Sequence, residues 1–276
     1  MSDQKIPTLL VPTDFSPVGA CAFNHAIRIA EILNGEVKLL HIVAKEKEMV
    51  GAQSKLDAAI AEAKKATSVN IEGIAQVGNI FDDIGGVADK VGAKLIFMGT
   101  HGAKGLQKVT GSYALKVITR SNVPFVVVQR TNIKEGYHKI VMPLDLIKES
   151  VQQLKIATEL AKKLGSSIHL YGERHSDEYL VKKVKSNIIF ARKYLQKEGV
   201  TCAIKISDGK KAFHKEVIEY AQSENADLVT VVNVQESLLS MFGGFEQHII
   251  ANEAEIPALI INPMETSKTG YGFMFG

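Results

Sequence analysis

The chain repeats itself, and that limits its fold more than any other feature of the sequence. Residues 6–14 read IPTLLVPTD and residues 137–145 read YHKIVMPLD, so Pro12 and Asp14 recur as Pro143 and Asp145, 131 positions later. Gly78 recurs as Gly209 at the same offset, while Leu95, Gly111 and Pro124 recur as Leu228, Gly244 and Pro257 at an offset of 133. His41 and His169 also match, at 128. Landmarks in one order at nearly one spacing indicate a duplicated unit. We place the copies at residues 1–132 and 137–264, joined by the polar stretch Thr131–Gly136 and followed by a tail over 265–276.

Each copy alternates short apolar runs with segments of helical period. In the first, strands are predicted over 5–12, 36–43, 71–77, 94–99 and 124–129. Helices are predicted from Pro17 to a stop at Asn34-Gly35, and over 53–68, 80–91 and 112–120. Ser16 is a suitable N-cap and Pro17 fits the first helical position. The second copy predicts strands over 139–143, 167–172, 201–207, 228–232 and 259–262, with helices over 149–164, 179–198 and 212–224. Strands buried on both faces and alternating with helices give an α/β fold with a doubly wound parallel sheet. Ligands of such sheets bind beyond the carboxyl ends of the strands, where the strand order reverses.

Composition excludes several classes. With 46% hydrophobic and 23% charged residues, the chain has enough apolar content for a substantial core. The net charge is +3, and Lys182-Lys183 with Lys185, and Lys210-Lys211, read as solvated faces. No nucleic-acid-binding signature is evident. Two cysteines, Cys21 and Cys202, are too few for a disulfide framework and read as reduced thiols. No apolar leader precedes the first strand and no run reaches the ~18 apolar residues of a membrane span. The expectation is a cytoplasmic protein with neither nucleic acid nor membrane as partner.

The chemistry concentrates where Leu95-Ile96-Phe97-Met98-Gly99-Thr100-His101-Gly102 ends a buried strand and Gly111-Ser112-Tyr113 opens a helix. Backbone N–H groups at Gly102, Gly111 and Ser112 are suited to a single anion, because the first turn of a helix has no internal partners for its donors. The Ser112 hydroxyl adds a donor. The loop is neither a Walker loop nor the dinucleotide fingerprint, and glycines serving turn geometry alone remain an alternative.

Gly99-x-x-Gly102, a spacer, then Gly111-Ser112 resembles the nucleotide loop of the universal stress protein family. The family pattern has nine residues between the second Gly and the Gly-Ser or Gly-Thr; here Ala103–Thr110 is eight. The resemblance implies five strands per copy in the order 3-2-1-4-5, an adenine nucleotide alpha-hydrolase-like arrangement. Asp14 and the end of the fourth strand then face one crevice. It implies that Asp14 recognises the adenine end, that Pro12 and Thr13 shape its turn, and that Ile42 packs near the base. Met98, Gly99, His101, Gly102, Gly111, Ser112 and Tyr113 line the remainder of the site. The implied ligand is ATP or another adenine nucleotide, with Mg as an accompanying ion. The two copies would pack as an intramolecular pseudo-dimer through edge pairing of their last strands, with further self-association and an unknown protein partner left open.

The second copy departs from the pattern. At the 133 offset, Gly99, Thr100, His101, Gly102 and Ser112 become Val232, Asn233, Val234, Gln235 and Phe245. Nucleotide binding is therefore expected in the first copy and not the second. His169, Glu173, His175 and Asp177 alternate over nine residues, a spacing open to a metal site or to a polar strand end. Lys104 and Lys108 add charge beside the loop. His101 lacks a recognisable nucleophile or orienting carboxylate, so the leading expectation is a stress-response regulator that binds nucleotide without turnover. The alternatives are an interaction scaffold without nucleotide and a slow nucleotide hydrolase.

Overall fold

A computed structural model describes residues 6–100, 112–130, 133, 135–146, 150–233 and 244–263. Its elements run β1 (Thr8–Pro12), α1 (Pro17–Leu33), β2 (Glu36–Val43), α2 (Met49–Ala63), β3 (Asn70–Val77), α3 (Ile80–Val91), β4 (Ala93–Gly99), α4 (Ser112–Ile118) and β5 (Phe125–Val128). The second half runs β6 (Lys139–Leu144), α5 (Ser150–Leu164), β7 (Ser167–Gly172), α6 (Glu178–Lys197), β8 (Cys202–Ile206), α7 (Phe213–Ser223), β9 (Leu228–Val232), α8 (Phe245–Ile250) and β10 (Ala258–Ile261). The ten strands form one sheet in the order β3-β2-β1-β4-β5-β10-β9-β6-β7-β8. Each half has the expected 3-2-1-4-5 order, parallel throughout. The halves meet where β5 and β10 pair antiparallel, Val126 opposite Leu259.

Strand register places the two copies on one another residue by residue. Pro12 pairs with Leu40 and Pro143 with Tyr171, both 131 apart. Leu9 lies beside Leu95 and Ile140 beside Leu228, where the offset has grown to 133. The two extra residues lie between Gly209 and Phe213. Only Asn79 separates Gly78 from α3, whereas Lys210-Lys211-Ala212 separates Gly209 from α7. This register corrects one sequence match. His169 pairs with Val141, the position that Lys38 holds opposite Leu10, and His41 corresponds to Gly172.

Helices cover both faces of the sheet. On one, α1, α2, α5 and α6 bury Ala22, Leu56, Leu154 and Val184 against Leu9, Val11, Ile140 and Met142. On the other, α3, α4, α7 and α8 bury Ile84, Val117, Val217 and Ile249 against Leu10, Ile96 and Val229. Fully buried strands on both faces explain their near-continuous apolar sequences. α2 lies close on its strand because of Gly73, where a Cβ would stand 3.1 Å from Leu56 Cβ and 3.2 Å from Ile60 Cδ1. The equivalent residue in β8 is Ile204, which is 42% exposed at the edge of the sheet.

Between the halves, His25 Nδ1 lies 2.7 Å from the hydroxyl of the fully buried Tyr137. Burial drives that phenol well above its usual pKa, so Tyr137 stays neutral. Among the described residues, no helix is long and apolar enough to cross a membrane. Cys21 is buried and Cys202 half-buried, and neither is in a disulfide.

Candidate functional site

The strand order reverses between β1 and β4, whose carboxyl ends lie side by side. Past β1 the chain makes a tight polar turn. Thr13 N donates to Leu40 O, and Thr13 Oγ1 accepts from Phe15 N at 3.0 Å. Asp14 Oδ1 accepts from Ser16 N at 2.9 Å, and Ser16 caps α1 by accepting from Gly19 N at 3.2 Å. The turn requires Phe15 to adopt φ 62°, an uncommon conformation for a bulky residue. Its ring then packs on His41 with centroids 4.6 Å apart, and Lys55 Nζ sits 5.8 Å from the ring centroid. His41 Nδ1 lies 2.7 Å from Thr13 O. A carbonyl only accepts, so Nδ1 carries the proton and pins the turn to β2.

Gly99, at the end of β4, runs against the first turn of α1. A Cβ there would stand 2.3 Å from Val18 O and 2.9 Å from Gly19 N. A Cβ on Gly19 would in turn stand 3.0 Å from Asp14 Oδ1. Asp14, Gly19 and Gly99 therefore form one small cluster at the reversal point. Close packing against α1 by itself requires glycine at position 99, whether or not a ligand also approaches there. Around this cluster Asp14 is exposed, Pro12, Thr13 and Ile42 are half-buried, and Met98 is buried in the core. His101, Gly102 and Gly111 lie outside the described residues, as do the side chains of Ser112 and Tyr113, although α4 begins at Ser112. Sequence reasoning passed over His41 and Phe15 as partners of the turn. The β1–β2 register that brings His41 in β2 to the turn after Pro12 is visible only in the paired strands.

The equivalent place in the second half is lined differently. Glu173 follows β7 where Ile42 stands in β2, and its carboxylate lies 3.3 Å from His175 Nε2. Burial, reinforced by the nearby Asp145, pushes the Glu173 pKa up, and His175 opposes the shift. Phe245, at the position of Ser112, stacks on Phe213 at 5.6 Å, and Phe213 stacks on Tyr171 at 6.0 Å. The four alternating residues do not converge on one point: Glu173 and His175 stay together, His169 Nδ1 lies 3.0 Å from the Tyr220 hydroxyl, and Asp177 caps α6 through Leu180 N. Among the described residues no three metal-ligating side chains converge.

The model of the universal stress protein family matches residues 5–129. The first half of the chain thus resembles that family in sequence. A universal stress protein of Methanocaldococcus jannaschii is 27% identical over 154 residues, covering 45% of this chain and 95% of its own. A universal stress protein structure from Archaeoglobus fulgidus superposes with TM-score 0.67 at 15% identity, over 93% of this chain and 98% of that one. A structure of a functionally unknown protein from Pseudomonas aeruginosa PAO1 gives TM-score 0.63 at 14% identity over 94% of both chains. At such identities the two structures establish fold alone. They extend the universal stress protein fold across both halves in tandem.

Proposed function

We propose that the first half binds an adenine nucleotide at the crevice between β1 and β4, and that the second half does not. The base lies against Ile42, which Met98 backs from the core, with Asp14 accepting from its amino group and Pro12 and Thr13 holding the turn. The phosphates lie along Gly99, His101, Gly102, Gly111, Ser112 and Tyr113. The observation that carries this reading is the adjacency of Asp14 and Gly99 at the reversal point, inside the segment that matches the family. An exposed carboxylate beside a half-buried aliphatic wall suits an adenine, which offers N–H donors at its edge and apolar faces. ATP, with Mg as counter-ion, is the nucleotide we favour. Binding biases conformation or partner choice in a stress response, without a committed turnover reaction.

In the second half, Glu173 and His175 stand beside Asp145 and Phe245 replaces the serine, so the same crevice is lined by its own side chains. The experiment is denaturing extraction of the purified protein, with and without added ATP, and mass spectrometry of what is released. Stoichiometric adenine nucleotide supports the reading; a blank in both arms rejects it. The eight-residue spacer favours a second reading, an interaction scaffold of the same fold without nucleotide, and the blank would establish it.

A further inference from the structure

α6 differs from every other long helix of the chain. Its 20 residues carry Lys182, Lys183, Lys185, Arg192, Lys193 and Lys197, and no Asp or Glu lies between Glu178 and Glu198. The equivalent helix α2 carries Asp57 and Glu62 within its length, and α5 carries Glu159 among its lysines. Five of the six α6 cations are exposed, Lys183 being half-buried. Among the described residues none of the six forms an ion pair. Acidic groups sit only at the ends: Asp177 and Glu178 at the start, and Glu198, bound to Lys162 at 2.8 Å, past the finish.

Large apolar side chains are exposed on the same surface. Ile189 is 54% and Phe190 51% exposed midway along the helix, and Tyr179 is 71% exposed in its first turn. β8, the free edge of the sheet beside α6, adds Ile204 and Ile206, 42% and 40% exposed. Ile206 and Ile188 both reach the place where a Cβ on Gly172 would stand, so these isoleucines lie on the α6 side. They occupy the positions of Gly73 and Ala75, and the bulk that replaces Gly73 leaves the α6–β8 seam uncovered.

We propose that the α6–β8 edge is a docking surface for an anionic lipid bilayer, which the protein visits peripherally. A 20-residue helix is about 30 Å long and can lie flat along a planar surface. Lysine is a flexible point charge that reaches headgroup phosphates and carboxylates while its stem rests on apolar surface. Phe190, Ile189 and Tyr179 enter the acyl boundary between the lysines, the combination that holds interfacial helices. The phosphate backbone of a nucleic acid would engage the same lysines but would leave the exposed Ile189 and Phe190 without an apolar partner. A second copy is disfavoured at this surface because two such edges repel.

The test is flotation of the full chain with vesicles of phosphatidylcholine containing phosphatidylserine, against phosphatidylcholine alone, with double-stranded DNA and polyglutamate as competitors. The expected result is binding to the anionic vesicles only, weakened as salt rises from about 0.1 M to about 0.5 M. The combined variant Lys182→Glu, Lys185→Glu, Lys193→Glu should weaken binding by at least about a hundredfold, at roughly fivefold or more for each charge altered. Ile189→Ser with Phe190→Ser should weaken it at unchanged charge. Lys64→Glu, Lys65→Glu, Lys90→Glu, the same charge change elsewhere, should have far less effect. Failure of the wild type to float, or loss equal in the two charge-reversed variants, overturns the proposal. So does vesicle binding indifferent to Ile189 and Phe190 but abolished by polyglutamate or DNA, which would assign the surface to an acidic polymer.

Discussion

Gln129 and Asn262 stand at equivalent positions of the two copies, and each side chain holds the end of the other copy's short helix. Gln129 Nε2 donates to Ile250 O at 3.1 Å and Asn252 O at 2.8 Å, past the end of α8. Asn262 Nδ2 donates to Ile118 O and to Ser121 O, past the end of α4, while its Oδ1 accepts from Asn233. The last carbonyls of a helix have no partner within it. Here each copy supplies partners to the other, so the β5–β10 join is polar as well as apolar.

Removing either side chain strands buried carbonyls. Gln129→Ala and Asn262→Ala should each lower stability by roughly 1–3 kcal/mol. Urea unfolding monitored by circular dichroism measures this. An unchanged midpoint for both would mean that the exchange contributes nothing to the join.

Gly99→Ala places a methyl 2.3 Å from Val18 O, a backbone atom that moves only with α1. Overpacking of this kind costs about 1–3 kcal/mol. The midpoint of thermal unfolding should fall even without nucleotide present, which separates a packing role from a ligand role. An apo protein of unaltered stability would return Gly99 to the ligand-approach explanation.

Glu216 replaces an external anion in its turn. Its carboxylate accepts from Gly209 N at 3.1 Å, Lys210 N at 2.7 Å and Lys211 N at 3.1 Å. Burial works to raise its pKa, but the three N–H groups and Ser207 outweigh it and hold the carboxyl below its usual value. The unfolded chain therefore binds this proton more readily. The stabilisation is complete above about pH 4.3 and is lost as pH falls through the folded value. Glu216→Gln should cost roughly 1–3 kcal/mol at neutral pH, with the gap to wild type closing in acid. A gap independent of pH would show that the charge is not what the turn uses.

His214 and His248 stack with ring centroids 4.0 Å apart, joining α7 to α8 where the first copy has Phe81 and Leu115. Burial, then His248 and Lys215, hold the His214 pKa below its usual value. Its folded form binds the proton less readily than the unfolded chain, so stability is full above about pH 6.5 and declines as pH falls toward the lowered folded value. His169, lowered chiefly by burial, adds a slope of the same sign. His214→Phe with His248→Leu should flatten the dependence between about pH 5 and about pH 7, leaving the His169 part. An identical slope in the double variant would remove the pair from the explanation.

The strands were largely legible in the sequence because burial on both faces writes them as apolar runs; residues 36–43, 167–172 and 228–232 match in full. Most helix starts were legible to within one residue, and α2 and α8 are the exceptions. Gly51 in the first turn of α2 hid four residues of it, and the six-residue α8 lacks a side-chain cap. The repeat offset would have found α8, since Phe245 is Ser112 moved by 133. His41 was matched to His169 because identity at one position outweighed register, which only the paired strands supply. At the candidate site the sequence located Asp14 and Gly99. It did not locate the contact of Gly99 with α1, because a glycine shows where a side chain is unwelcome without showing what excludes it.

The most direct measurement is the number of adenine nucleotides bound per chain, by equilibrium dialysis with radiolabelled ATP, for the wild type, Asp14→Ala and Asp145→Ala. One nucleotide per chain is expected for the wild type and for Asp145→Ala, and none for Asp14→Ala. No binding by the wild type, or binding unchanged by Asp14→Ala, would contradict a site at the β1–β4 crevice of the first half.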